Sequence, residues 1–533
     1  MSLADKGFLI LQNLAYFQKM ESMKNLLLIP FILWSFSCSS PQKGNEERLP
    51  NVVLIYTDDV GFGDVQAYGG LIPTPNIDAL AKDGLIFTNA YATSATCTPS
   101  RYSLLTGEYA WRGKGRGVAP GDAVALIRPG VETLPSVFQR AGYQTGVIGK
   151  WHLGLGEGEG PDWNGKISPG PLEIGFDYAF ILPSTGDRVP TVYVENHHVL
   201  NLDSKDPITV NYQEKVGDWP TGKENPDLLT TMYSHGHDNT IVNGISRIGF
   251  MTGGKEALWR DEDMADDLVA RAHSFMDKNK KGPFFLYFAT HDIHVPRIAH
   301  ERFQGLTDFG PRGDVLLQLD WTVGELVKKL KKLGVFENTI IIFTSDNGPV
   351  LDDGYVDQAK EKIGLHQPTG PWRGGKYSAF EAGTRVPLIM HWPAKIRQGN
   401  SEAMISQVDF LASFANFLQV DFNKQQAVDT ENHWKALIGD TLEGRKGLVQ
   451  EAIQGVLTYI DRKGYKYIPA HQGPAIVPWG TEIETGFLPE DQLFYLPEDK
   501  GEQDNLAKQR PEILERLKME WKAILANEQC LFN

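Results

Sequence analysis

Asn51-Val52-Val53-Leu54-Ile55-Tyr56 is an unbroken apolar, β-branched run that stops at Thr57-Asp58-Asp59. Without polar alternation, such a run predicts a strand buried on both faces, the kind found in parallel sheets covered by helices. Two adjacent carboxylates at its carboxyl end are costly unless a positive charge sits between them. Open α/β sheets bind ligands at that edge, so the pair is read as a cation site.

Three further apolar runs end in the same way. Residues 143–148 run into Gly149-Lys150-Trp151-His152, residues 283–288 into Thr290-His291-Asp292-Ile293-His294-Val295-Pro296, and residues 339–343 into Ser345-Asp346-Asn347-Gly348. Another strand is expected at 388–390. Between them lie helix signals: Pro75 to a stop at Gly84, Thr133 to Gly142, and apolar stripes at Met264, Leu268, Ala272, Phe275 and Met276 and at Leu316, Leu319, Val323, Leu326 and Leu330. This alternation predicts an α/β fold, a large mixed, mainly parallel sheet sandwiched by helices. Near residue 425 the texture changes to short alternating segments at 448–452, 456–461, 465–468 and 493–496, then a terminal helix from Pro511. These predict a smaller C-terminal domain with an antiparallel sheet. The expected division is therefore 1–48, 49–425 and 426–533.

Of 533 residues, 41% are hydrophobic and 22% charged, and the net charge is −15. That balance excludes nucleic acid as a partner, because no cationic surplus exists to neutralise phosphates. An anionic substrate would have to meet cations concentrated locally in a pocket. The three cysteines, Cys38, Cys97 and Cys530, form neither a disulfide framework nor a metal-binding spacing. Met23-Lys24-Asn25 opens an apolar run over 26–36 that ends at Ser37-Cys38-Ser39-Ser40. It reads as a secretion signal too short for a membrane span, preceded by an upstream extension. The small residue before Cys38 and the polar linker 39–48 resemble a bacterial lipoprotein signal. Phe36 stands where such signals usually carry a small residue, and plain export is the alternative. Either reading places the mature protein outside the cytoplasm, in the periplasm or at the outer membrane of a Gram-negative bacterium; on the lipoprotein reading, a lipid on Cys38 would be its one membrane contact.

The chemistry centres on Cys97-Thr98-Pro99-Ser100-Arg101, followed by Tyr102-Ser103-Leu104-Leu105-Thr106-Gly107. Thr98 suits a helix N-cap, Pro99 the first helical position and Gly107 the stop. Cys97 would then sit just outside a helix N-terminus, where the macrodipole lowers a thiol pKa. Asp58, Asp59, Asp346 and Asn347 offer only oxygen, which suits Ca²⁺ or Mg²⁺ rather than zinc. Lys150 and His152 are candidates for binding an anion and moving protons. The loop-rich stretch 155–255 is expected to carry substrate contacts, among them Ser184, Asp187 and Arg188, with further contacts in the acidic loop 352–366.

C-x-P-S-R followed by a short run to T-G resembles the activating motif of type I, formylglycine-dependent sulfatases. The resemblance covers nearly the whole mature chain, through the D-D pair, G-K-W-H, H-x-P, S-D-N-G and Gly375-Lys376 before Phe380-Glu381-Ala382-Gly383. The arylsulfatase A and N-acetylgalactosamine-6-sulfatase branch is the most similar in flavour. Such a resemblance implies an alkaline-phosphatase-like fold and conversion of Cys97 to formylglycine by a maturase. It implies that Asp58, Asp59, Asp346 and Asn347 hold calcium (magnesium less readily) together with an oxygen of the modified Cys97. Arg101 would steady the aldehyde hydrate, His152 would help eject sulfate, and Lys150 and Lys376 would grip the sulfate oxygens. His294, rather than His291, would serve the leaving group. The implied activity is a sulfuric ester hydrolase for a sulfated saccharide, galactose or N-acetylgalactosamine of host mucin or glycosaminoglycan. Two alternatives are a phosphonate or phosphodiester hydrolase of the same superfamily and a silent glycan-binding lipoprotein with Cys97 unmodified.

Overall fold

In the computed structural model, residues 48–526 are described, except Lys114 and Arg116. The expected signal, Cys38 and most of the polar linker lie outside the described residues, as does Cys530.

Strands β1 (Asn51–Thr57), β2 (Leu85–Phe87), β3 (Gln144–Lys150), β4 (Tyr178–Leu182), β5 (Val194–Glu195), β6 (His198–Val199), β7 (Phe284–Ala289), β8 (Thr339–Ser345), β9 (Leu388–His391) and β10 (Gly399–Ser401) form a ten-stranded sheet. Its order is β10-β2-β9-β8-β1-β7-β3-β4-β5-β6. The central block β8-β1-β7-β3-β4 is parallel throughout, and antiparallel pairs flank it. Period-two alternation sends β1 side chains into two cores: Val52, Leu54 and Tyr56 to one face, Val53 and Ile55 to the other. Each fully buried Val, Leu or Ile contributes roughly 1.5–3 kcal/mol, which is why the middle of each central strand is apolar.

Helices α1 (Pro75–Lys82), α2 (Cys97–Thr106), α3 (Leu134–Arg140), α4 (Met264–Asn279), α5 (Gly310–Lys332) and α6 (Phe410–Leu418) cover both faces. α2, α3 and α6 pack on the face of Val52, while α1, α4 and α5 pack on that of Val53. Both apolar stripes read from the sequence, on α4 and α5, are buried.

Strands β11 (Gly447–Glu451), β12 (Leu457–Asp461), β13 (Tyr465–Ile468) and β14 (Gln492–Tyr495) make the antiparallel sheet, with α7 (Pro511–Ala526) inserting Leu514 and Leu517. Its core includes Tyr91, Tyr109, Tyr377 and Phe380 from earlier in the chain. The described residues from 49 onward accordingly form one compact unit. A buried ionic knot ties the two sheets: Lys466 Nζ lies 3.0 Å from Glu381 Oε2, and Arg385 Nε and the Tyr91 hydroxyl each donate to Glu381 Oε1 at 2.8 Å.

The loop after β1 is braced from behind. Asp64 Oδ2 accepts from Gly61 N at 2.7 Å and Arg312 Nη2 at 2.8 Å; Oδ1 accepts from Arg312 Nη1 at 2.7 Å and His366 Nε2 at 2.9 Å. Burial alone would raise this carboxyl, but Arg312 and His366 overcome it and hold the pKa at about 2. A carboxyl with a lowered folded pKa adds stability above its unfolded pKa of about 3.9, and that stability is lost as pH falls toward 2. The contribution is about 2–3 kcal/mol. Urea unfolding of wild type and Asp64→Asn should therefore give a stability difference that is constant above about pH 5 and shrinks between about pH 4 and 2. A difference independent of pH across that interval would show that the pair does not hold the loop.

Candidate active site

Four neighbouring strands deliver the chemistry to one edge. β8 ends beside Asp346 and Asn347, β1 beside Asp58 and Asp59, β7 leads to His294, and β3 ends in Lys150 with His152 close behind. With Cys97, Arg101 and Lys376 these side chains converge, and none is more than 3% exposed. Asp59 and His152 hold positive φ values of 60° and 56°, a conformation that non-glycine residues keep only where the surroundings enforce it.

Charge is balanced pair by pair. Lys150 Nζ donates to Asp58 Oδ2 at 2.6 Å. Lys376 Nζ lies 2.9 Å from the Asp59 carboxylate and donates to Asp353 Oδ2 at 2.8 Å. Arg101 donates from Nε and Nη2 to Asp346 Oδ2 at 3.0 and 2.8 Å, and from Nη1 to the Lys150 carbonyl at 3.1 Å. Arg101 thus acts on the site through Asp346. Even so, burial and then the neighbouring Asp346 push the Asp58 carboxyl well above the usual range, and burial raises Asp59 as well.

The donor set fits a hard divalent cation. Asp58 Oδ1 and Asn347 Oδ1 are buried and accept no hydrogen bond, while Asn347 Nδ2 is spent on Asp59 Oδ1 at 2.7 Å. Two orphaned oxygens beside three carboxylates are what Ca²⁺ or Mg²⁺ requires. His294 stands beside this oxygen set, its ring nitrogen within 4.8 Å of Asp58 and Asp59 carboxylate oxygens, and is kept for proton transfer rather than counted among the ligands. His294 Nδ1 donates to the Val295 carbonyl at 2.7 Å, leaving Nε2 facing Asp59 and Asp353 at 3.7 and 3.9 Å. Burial, then Lys376 and Lys150, lower its pKa well below the ordinary value.

Two expectations about residue 97 need correction. The helix begins at Cys97 itself, with Thr96 at the N-cap, because the Thr98 hydroxyl is already engaged by the His152 carbonyl and the Ala119 N–H, both at 3.1 Å. The thiol pKa is raised, not lowered: burial outweighs Lys150 and Lys376. Gly107 does end the helix, at φ 68°. His152 Nε2 donates to the Ala119 carbonyl at 2.9 Å, so the lone pair of Nδ1 faces Cys97 Sγ, 3.3 Å away. Burial and Lys150 push this imidazole well below its usual pKa, which keeps it neutral.

A cavity of about 640 Å³ opens over this floor and is lined by Cys97, Asp187, Arg188, His294, Asp353 and Lys376. Lys150, His152 and Arg101 lie beneath the lining. Ser184 is buried outside it, its hydroxyl without a partner, since the turn at Gly186 presents only Asp187 and Arg188. His291 belongs to a separate small void behind β7. The sequence reading missed His237, whose Nε2 donates to Asp187 Oδ2 at 2.9 Å, and Tyr377, whose hydroxyl donates to Asp353 at 3.0 Å. Ser234-His235-Gly236-His237, two histidines about a glycine in a polar loop, was the available signal for the first. Asp353 does fall within the acidic loop named as a contact region.

What this edge can do is hold a cation and an anionic ester against residue 97, the task of a metal-assisted hydrolase of oxyanion esters. Residues 50–420 match the sulfatase family model, and the chain belongs to that family. It is 50% identical over 503 residues, 93% of this chain and 98% of the relative, to an N-acetylgalactosamine-6-O-sulfatase of Bacteroides thetaiotaomicron. Human arylsulfatase A is 33% identical over 69% of this chain and 64% of its own length. A solved structure from the metabolism of multiple glycosaminoglycans by Bacteroides thetaiotaomicron superposes with a TM-score of 0.88 at 51% identity, covering 90% of this chain and 99% of that one. The protein is a sulfuric ester hydrolase, and its family generally uses formylglycine and a divalent metal.

A cation that binds this cluster only in the folded state must stabilise the fold. Stripping the protein with a chelator should lower the midpoint of thermal unfolding by several degrees, and excess Ca²⁺ should restore it. A midpoint indifferent to both treatments would exclude a cation among these carboxylates.

Proposed function

We propose that the enzyme removes the 6-sulfate of N-acetylgalactosamine in a glycosaminoglycan or mucin glycan, using calcium and a formylglycine made from Cys97. The observation that carries this reading is a cavity lined by Cys97, His294 and Lys376, with His152, Lys150 and Arg101 buried directly behind that lining. The substrate is taken from the relative that matches over nearly its whole length.

Asp58, Asp59, Asp346 and Asn347 would hold the cation, which supplies fixed positive charge where sulfate oxygens lie. Converted to formylglycine, residue 97 would supply an aldehyde hydrate, with one hydroxyl to attack sulfur and a second to drive sulfate off. The remaining work falls to unmodified residues. His152 Nδ1, neutral and aimed at residue 97, accepts a proton from its side chain. Lys376 and Lys150 offer N–H donors to the ester oxygens, whose charge competes with the carboxylates that now hold them. The bound anion favours the protonated form of His294, whose Nε2 faces the cavity and can donate to the leaving oxygen. Asp187, braced by His237, and Arg188 present an acceptor and a donor to sugar hydroxyls. Maturation requires a formylglycine-generating enzyme. The signal over 23–38 makes the mature protein an exported lipoprotein of the periplasm or outer membrane, attached through Cys38; no helix among the described residues is long and apolar enough to span a membrane.

Cys97→Ala and His152→Gln should each lower kcat on N-acetylgalactosamine 6-sulfate by about 10²-fold or more, with an unchanged unfolding midpoint. Turnover like that of the wild type in either variant overturns the mechanism. Paired sulfate and phosphate esters of one leaving group separate a sulfatase from a phosphoester hydrolase. The tryptic peptide containing Cys97 should weigh roughly 18 Da less than its cysteine form, the difference between thiol and aldehyde.

A further inference from the structure

The cavity exceeds what the sulfated sugar alone needs. Its 640 Å³ extends from Cys97 out to Trp479 and Gln454 of the C-terminal part. Pockets of about 300–1,000 Å³ enclose drug-sized ligands, and one sulfated hexosamine is smaller than that. The outer wall is built, not left over. Trp479 stands on a loop whose limbs pair at Ile476 and Glu484, with Val477 N donating to the Ile483 carbonyl at 2.9 Å. Gly480, at φ 93°, brings that loop against His235: a Cβ there would lie 2.8 Å from His235 Nδ1. On the inner side the Trp479 ring meets Tyr377 at 5.2 Å and 90°, and Tyr377 follows Lys376 directly.

Held from both sides, Trp479 nevertheless keeps 39% of its surface open. Gln454 keeps its exposed place on the same wall at φ 60°, an uncommon conformation for that residue. His235 Nε2 is buried and has no hydrogen-bond partner. An aromatic ring flanked by an amide and an unspent imidazole nitrogen matches a pyranose, which has an apolar C–H face rimmed by hydroxyls. We infer that this outer half is a second saccharide subsite, in which Trp479 is the platform for the sugar joined to the sulfated one. The inference rests on the reading of the inner half as the sulfated-sugar site.

The test compares N-acetylgalactosamine 6-sulfate with the two disaccharides that carry it at the non-reducing or the reducing end, on wild type, Trp479→Ala and Trp479→Phe. Covering some 50–60 Å² of apolar surface is worth about tenfold. One disaccharide should therefore be turned over with about tenfold higher kcat/KM than the monosaccharide. Trp479→Ala should erase that gain and leave the monosaccharide within about twofold, and Trp479→Phe should keep most of it. A wild type that treats all three alike, or a Trp479→Ala that slows all three equally, overturns the subsite. Should none of the three release sulfate, the reading of the inner site fails instead. Calorimetry with Cys97→Ala protein then decides the subsite alone: tighter disaccharide binding that Trp479→Ala abolishes supports it, and equal binding sinks it.

Discussion

Three carboxylates, Asp58, Asp59 and Asp346, are held together out of reach of water. In a dry site their mutual repulsion is large, and burial deprives each of hydration. Everything nearby compensates for this. Lys150 and Arg101 are each matched to one carboxylate, Lys376 is shared by Asp59 and Asp353, and the two orphaned oxygens of Asp58 and Asn347 leave a place that suits a cation. With a divalent cation held there, the same lysines would face an anionic ester when it arrives. A site strained by its own charges is thereby preorganised for a sulfate group.

The sheet makes that concentration of charge possible. Strands whose middle residues alternate between two apolar cores leave no room there for charged side chains, so the chemistry is driven to their ends. Parallel pairing of β8, β1, β7 and β3 puts those ends on one edge. Asp64 and Arg312 fix the loop after β1 from behind, and the knot around Glu381 fixes the C-terminal sheet that walls the cavity.

Much of this was legible in the sequence for a simple reason. Unbroken apolar runs such as 51–56 and 339–343 announce buried strands, and the polar residues at their carboxyl ends mark the edge where ligands bind. The capping of α2 was misread because a threonine beside a proline is a good cap locally, whereas here tertiary partners claim the Thr98 hydroxyl. The thiol pKa was misjudged because the helix dipole is a local cue and desolvation is a property of the whole fold. Asp187 and Arg188 reach the cavity while Ser184, three residues before, does not; only the path of the loop decides that. Trp479 lies in a stretch without periodicity, so its place on the cavity had no one-dimensional trace, and the pair of histidines about Gly236 was the one cue to His237.

A crystal structure of the protein grown in millimolar calcium bears on the whole arrangement. Anomalous density should show one cation with Asp58, Asp59, Asp346 and Asn347 oxygens about 2.3–2.6 Å away and the side chain of residue 97 beside it. Density for the cation elsewhere, or a cluster that stays without one at that concentration, would mean that these carboxylates are balanced by lysine and arginine alone and that the chemistry proposed at residue 97 is wrong.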